Sequence, residues 1–64
     1  MRKRDIKAHR WVRVRYDDVG VRDAIVIETC SRWIEIYVPN EGTDMIEASQ
    51  VVCMGPRLDN VPEF

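Results

Sequence analysis

The chain has 64 residues and a mass of 7.5 kDa, with 45% hydrophobic residues and a formal net charge of −1. This length allows one small domain, which buries only about 60% of its unfolded surface, so stabilisation by a partner or by self-association is expected. No apolar run is long enough to span a membrane, and two cysteines are too few for a disulfide-rich secreted scaffold. These features predict a cytoplasmic protein with reduced thiols.

Charge is unevenly distributed along the chain. Residues 1–15 carry seven basic residues and one acidic residue, a local charge of +6, whereas residues 16–64 carry three basic and ten acidic residues, a local charge of −7. We therefore expect a basic arm over residues 1–8 and an acidic body. The arm either lies along an acidic surface, its own or a neighbour's, or binds a polyanion. The polyanion-binding candidates are Arg2, Lys3, Arg4, Lys7 and Arg10.

The recurring sequence period is two, which is typical of strands, and no segment keeps the 3.6-residue period of a helix. The first predicted strand covers residues 10–16, where Val12, Val14 and Tyr16 share the buried face. Its outward positions are Trp11, Arg13 and Arg15. Turn residues at 17–20 then lead into a β-branched second strand over residues 22–29.

The third predicted strand, residues 33–38, alternates cleanly, with Ile34, Ile36 and Val38 inward. Its outward positions are Trp33, Glu35 and Tyr37. A loop over residues 39–44 follows, because Pro39 cannot donate to a strand ladder. Residues 45–48 and 51–54 predict two more strands, and residues 56–64 predict an irregular tail.

Five short strands predict an all-β fold, and closure into a small barrel would remove unpaired edges. The segment Met45-Ile46-Glu47-Ala48-Ser49-Gln50-Val51-Val52 resembles SH3-like barrels, Tudor-like ones included. In those barrels, strand four passes through one tight helical turn into strand five. The resemblance implies a five-stranded SH3-like barrel over residues 9–55, and it implies fold without function.

The outward face is rich in aromatic and Arg side chains, which are enriched at the energetic centres of protein interfaces. The second strand is expected to add Ala24, Val26 and Glu28 to this face. We predict a non-catalytic binding module, a regulatory or accessory protein that engages a protein partner or its own copies. The partner-binding candidates are Trp11, Arg13, Arg15, Trp33, Glu35 and Tyr37. In a purely structural alternative, the tryptophans cover the barrel and the two arginines pair with Glu35 and Glu28.

A nucleic-acid-binding barrel is the alternative function. The basic arm would follow the phosphates, and Trp11 and Trp33 would stack on bases. An acidic body and a pI of about 5.7 weigh against it, since nucleic-acid-binding domains are usually basic.

Catalysis and metal binding find little support in the sequence. His9, Cys30 and Cys53 are the only obvious reactive or ligating residues, and their spacing matches neither a zinc site nor a nucleophile with its base. Cys53 is expected in the core. We predict no enzyme activity, no cofactor and no metal. The small size is also typical of proteins from phages and other mobile elements.

Overall fold

The computed structural model describes residues 2–58 of the chain. Within this range five antiparallel strands form one sheet, with no α-helix, so the all-β prediction is confirmed. The strands are β1 (Arg10–Tyr16), β2 (Gly20–Thr29), β3 (Ile34–Val38), β4 (Gly42–Ile46) and β5 (Val51–Arg57). Two 3-10 turns, Lys3–Asp5 and Ala48–Gln50, complete the secondary structure. None of the described helical segments has the length and apolarity that crossing a membrane requires.

All five strands contribute to one hydrophobic core. The inner face of β1 supplies Val12 and Val14, and that of β3 supplies Ile34 and Ile36, each at most 2% exposed. The buried phases predicted for these two strands are therefore correct. A charged residue occurs at outer positions of both strands, Arg13 and Arg15 in β1 and Glu35 in β3, which is why alternation identifies the inner face.

The predicted phase of β2 is wrong. Ala24 and Val26, expected on the outward face, lie in the core with no exposed surface, while Ile25 faces outward. The register pairs Ala24 with Val12, which fixes the inner face. Residues 24–27 are all apolar, so hydrophobicity alone cannot indicate which of them face inward.

A β-bulge between Val26 and Glu28 then shifts the alternation of β2 by one residue. Glu28 consequently pairs with the outward residue Glu35, although Val26, two residues earlier, faces inward. The outward position expected for Glu28 is correct, but a bulge produces it rather than regular alternation.

The turn between β3 and β4 follows directly from its residues. Pro39 and Asn40 occupy its two central positions, and the amide of Glu41 donates to the carbonyl of Val38 at 2.9 Å. Asn40 has φ +72°, which this residue type tolerates and which the third position of a type II turn requires. The turn places β4 antiparallel beside β3.

The expected closure of the barrel is not seen. The strand order is β4-β3-β2-β1-β5, so β4 and β5 form the two edges of an open sheet. The second 3-10 turn separates these edges: the Glu47 amide donates to Gln50 Oε1 at 3.0 Å, and Gln50 Nε2 donates to the Arg15 carbonyl at 3.4 Å. The first contact caps the turn itself, and the second binds the turn to β1. Among residues 2–58, no strand pairs with the free edge of β4.

Both edge strands carry features that hinder pairing with a strand of another chain. On β4, the amide of Met45 donates to Asp44 Oδ1 at 2.8 Å. On β5, Pro56 lacks an amide proton, and two irregularities interrupt the pairing with β1. Local capping and bulging thus replace closure as protection of the edges.

Two boundaries differ from the expected domain limits. Ile6, placed in the basic arm, is 3% exposed and belongs to the core cluster. β5 continues to Arg57, beyond the expected end of the folded part at residue 55. The predicted irregular tail lies mostly outside the described residues.

Candidate interaction surfaces

The side of the sheet opposite the core, here called the outer face, carries a cross-strand row of three large side chains. The register pairs Trp11 of β1 with Ile25 of β2, and Ile25 with Tyr37 of β3. Directly opposed residues in an antiparallel sheet point to the same side, with Cβ atoms about 4.5–5.5 Å apart. The structure therefore brings the predicted residues Trp11 and Tyr37 together around an isoleucine that the sequence did not assign to this face.

Ile25 is only 2% exposed, although it lies outside the main core cluster. Its two aromatic neighbours supply the cover on the outer face, and both are themselves partly buried. Trp11 also lies close to β5, because a Cβ built at Gly55 would meet the Trp11 Cβ at 3.3 Å. Trp11 and Tyr37 thus contribute to the packing of the sheet as well as to its surface.

Arg13 lies beside this row and forms an ion pair across the sheet. Its Nε donates to Asp23 Oδ1 at 3.1 Å, and the two side chains are 55% and 62% exposed. The hydrogen bond to Asp23, followed by the charge of that carboxylate, raises the pKa of the Arg13 guanidinium above its usual value. A pair this exposed contributes little to stability, so Arg13 remains free to exchange its partner.

The arginines do not form the pairs with Glu28 and Glu35 that the purely structural alternative required. Arg13 contacts Asp23, Arg15 is exposed opposite Val21, and the two glutamates lie directly opposite each other across β2 and β3. Two like charges at directly opposed positions destabilise a sheet. The structure therefore leaves a local excess of negative charge on the outer face.

An exposed apolar corner adjoins these carboxylates. Met45 of β4 pairs with Glu35 and is 45% exposed, and Trp33, two residues before Glu35, is 43% exposed. We call these four residues, Trp33, Met45, Glu28 and Glu35, the Trp33 corner. Sequence reasoning did not include Met45, although its position beside the inward residue Ile46 could have indicated it.

The basic residues collect at the end of the sheet where β1 begins. Burial of Ile6 anchors the segment that carries Arg2, Lys3 and Arg4. Lys7, Ala8, Arg10 and Arg57 line one open surface cavity, here called the basic depression. Arg10 and Arg57 are directly opposed residues of β1 and β5. Arg57 was expected in the tail, because Gly55-Pro56 is typical of the end of a strand.

Carboxylates collect at the opposite end of β1. The Tyr16 hydroxyl donates to Asp44 Oδ2 at 3.1 Å, and Asp18 and Glu41 line the same cavity as these two residues. Partial burial, the hydrogen bond to Asp44, and the charges of Asp44 and Glu41 raise the pKa of Tyr16 to about 12. The sheet thus carries positive charge at one end of β1 and negative charge at the other.

The cysteines and other reactive or metal-ligating residues do not form one site in the described part of the chain. Cys30 is partly buried in the β2–β3 loop, and Cys53 is exposed on β5. The core position predicted for Cys53 is wrong, because the register shift in β5 pairs it with the outward residue Arg13. Within residues 2–58, no group of three His, Cys, Asp or Glu residues is arranged to hold a metal ion.

Comparison of the chain with protein-family models, with curated proteins and with solved structures finds no match. The geometry of the described residues therefore carries the functional argument.

Proposed function

We propose that this chain is a non-catalytic binding module with an SH3-like fold, which engages a protein partner through its outer face. The strand order β4-β3-β2-β1-β5 and the single 3-10 turn between β4 and β5 support the SH3-like fold. A single core to which all five strands contribute, together with irregularities in the β1–β5 and β2–β3 pairings of the kind that bend a strand, is in keeping with this fold.

The Trp33 corner carries the proposal for a protein partner. It offers two exposed apolar side chains, Trp33 and Met45, next to two opposed carboxylates. A partner that covers the indole and thioether gains from their burial, and a basic group on the partner relieves the repulsion between the glutamates. The partner we propose is a protein segment with an apolar side chain beside a Lys or Arg.

The remaining predicted contact residues surround this corner in a way that fits the proposal. Tyr37 follows Glu35 on the same face of β3, and Trp11 lies across Ile25 from Tyr37. Arg13 and Arg15 extend the face toward the acidic end of β1. In this arrangement Trp33 and Met45 form the centre of the contact, and the arginines form a polar rim.

Binding of a purified partner by matched variants tests this function. The partner is first captured from a host lysate, then purified, and its affinity is measured by isothermal titration calorimetry. Trp33→Ala should weaken binding about 30-fold, the effect of a hot-spot residue. Val19→Ala is the control, since Val19 is equally apolar and 50% exposed but lies in the β1–β2 turn.

Both variants should lose no more than about 8 °C in melting temperature, because both side chains are exposed. Equal affinities of the two variants for the purified partner would contradict the proposal. Sedimentation equilibrium extends the test to self-association: if copies of the chain use the Trp33 corner, Trp33→Ala alone shifts the oligomer to monomer.

A second candidate function is binding of nucleic acid at the basic end. The observation that favours it is the convergence of Lys7, Arg10 and Arg57 on one cavity, next to the basic arm. Fluorescence titration with single- and double-stranded oligonucleotides at about 50 and 200 mM salt tests it, because phosphate contacts weaken steeply with salt. Quenching that is absent at both salt concentrations would exclude this function.

A further inference from the structure

We infer that the basic depression is a phosphate-binding site, and that the phosphates it takes belong to the backbone of single-stranded nucleic acid. This inference rests on the second candidate function and assigns to it the residues Lys7, Arg10 and Arg57. Arg57 was not among the predicted polyanion-binding residues.

The charges in the depression are unbalanced. Arg10 and Arg57 are directly opposed across β1 and β5, an arrangement that is unfavourable for two like charges. Lys7 lines the same cavity, and its other lining residue is Ala8, so no carboxylate of the described segment lines it. An anion that enters the cavity therefore meets three positive groups and relieves their mutual repulsion.

Backbone contacts hold this group of cations in place. Ile6 is buried next to Lys7, the His9 amide donates to the Val26 carbonyl at 2.7 Å, and the Leu58 amide donates to the His9 carbonyl at 2.8 Å. His9 also has φ +63°, a conformation that costs energy in a residue other than glycine. Such strain is concentrated at ligand-binding sites, where the surrounding structure maintains it.

Two arginines and a lysine favour phosphate over a carboxylate ligand. The planar guanidinium donates two parallel hydrogen bonds to a phosphate, and the ammonium group adds a compact charge. The Arg10 Nη1 lies 3.9 Å from the Met54 sulfur, a weak contact that leaves its other donors for a ligand. Arg57 and Lys7 are exposed, so an extended polyanion can reach both.

The surroundings favour single-stranded nucleic acid as the source of the phosphates. β2 runs past the start of β1 to Thr29, so the β2–β3 loop with Arg32 and Trp33 lies toward the basic end of the sheet. An exposed indole offers a stacking surface to an unpaired base, while a duplex keeps its bases stacked inside. Glu28 and Glu35 beside the indole repel phosphates, so the phosphates lie at the basic depression and only an uncharged base reaches Trp33. The basic arm continues the positive charge beyond the depression.

Charge-removing variants of the full chain test the inference, with binding of a labelled oligothymidylate followed by fluorescence anisotropy at several salt concentrations. Arg57→Gln and Lys7→Gln should each weaken binding about tenfold and reduce the slope of log K against log salt by about 0.7. Arg22→Gln is the matched control, since it removes the same charge from β2 near the opposite end of β1. It should change the affinity by less than about twofold.

A folding defect would not mimic this result. Arg57→Gln removes a like-charge contact, so its melting temperature should equal or exceed that of the wild type. If Arg57→Gln binds the oligonucleotide normally while Arg2→Gln combined with Arg4→Gln does not, nucleic-acid binding stands and the assignment to the depression is overturned.

Calorimetric titration with inorganic pyrophosphate tests two claims separately: that the depression binds phosphate groups, and that these groups belong to single-stranded nucleic acid. Binding of pyrophosphate that depends on Arg57, without any binding of the oligonucleotide, would overturn nucleic acid as the source while keeping an anion site. Failure of the wild type to bind either ligand would overturn the site, and failure to bind a double-stranded oligonucleotide as well would overturn the second candidate function.

Discussion

Replacement of Trp11 by alanine tests whether packing of Trp11 against Ile25 on the outer face stabilises the fold. The indole is partly buried and flanks Ile25, which is 2% exposed. Loss of about 80 Å² of the indole's own buried area corresponds to about 2 kcal/mol at about 25 cal/mol per Å². Partial exposure of Ile25 adds about 1 kcal/mol.

The expected loss of about 3 kcal/mol corresponds to a fall in melting temperature of about 12–24 °C for a domain of this size. Thermal unfolding followed by circular dichroism measures it, and urea unfolding gives the free energy directly. Trp11→Phe keeps an aromatic cover over Ile25 and should recover most of the loss.

Trp33→Ala provides the comparison, since Trp33 is 43% exposed in the β2–β3 loop and should cost about 1 kcal/mol or less. Equal losses in Trp11→Ala and Trp33→Ala would refute the reasoning. In that case Ile25 is covered by something other than Trp11, and both tryptophans are equivalent surface residues.

Three further predictions concern stability. Ile36→Ala truncates a fully buried β3 side chain and should lower the free energy of unfolding by about 2–5 kcal/mol. The amide proton NMR spectrum at 25 °C should then be that of a largely unfolded chain, and a dispersed spectrum would contradict the prediction. Folding raises the pKa of Tyr16 from 10 to about 12, through burial first and then the hydrogen bond to Asp44, so the neutral phenol stabilises the fold below pH 10 and this contribution is lost as the pH rises toward 12. Tyr16→Phe should flatten the decline of the urea-measured unfolding free energy over this range, and an unchanged decline would argue against a raised pKa of Tyr16. Glu28→Gln should raise the unfolding free energy by about 0.2–1 kcal/mol by removing its repulsion with Glu35, and a lower urea midpoint would disprove that repulsion.

How far the sequence predicts the sheet depends on where its polar residues stand. In β1, Arg13 and Arg15 alternate with valines, and in β3, Glu35 interrupts the isoleucines, so only one phase avoids burying a charge. β2 has no such marker over residues 24–27, and its phase depends on pairing with its neighbours. A bulge of one residue is a tertiary feature that no local period encodes.

At the candidate surfaces too, only residues with a local sequence signal are predictable. Trp33 is exposed, as predicted, but it lies in the β2–β3 loop one residue before β3, so the phase of that strand is not what exposes it. Arg57 was missed because Gly55-Pro56 resembles a strand end, whereas an edge strand accepts a proline on its unpaired side. Ile6 was missed because a single apolar residue within a basic segment shows no period.

Both proposed surfaces contain like charges at directly opposed strand positions, negative at the Trp33 corner and positive in the basic depression. Where the sheet neutralises charge internally, it sets Arg13 against Asp23 across β1 and β2. At two other sites it opposes like charges: two glutamates at the Trp33 corner and two arginines in the basic depression. Opposite charges at those positions would stabilise the isolated domain, so its own stability does not account for either arrangement. Each excess charge is instead suited to neutralisation from outside, by a basic group at the glutamates and by a phosphate at the arginines.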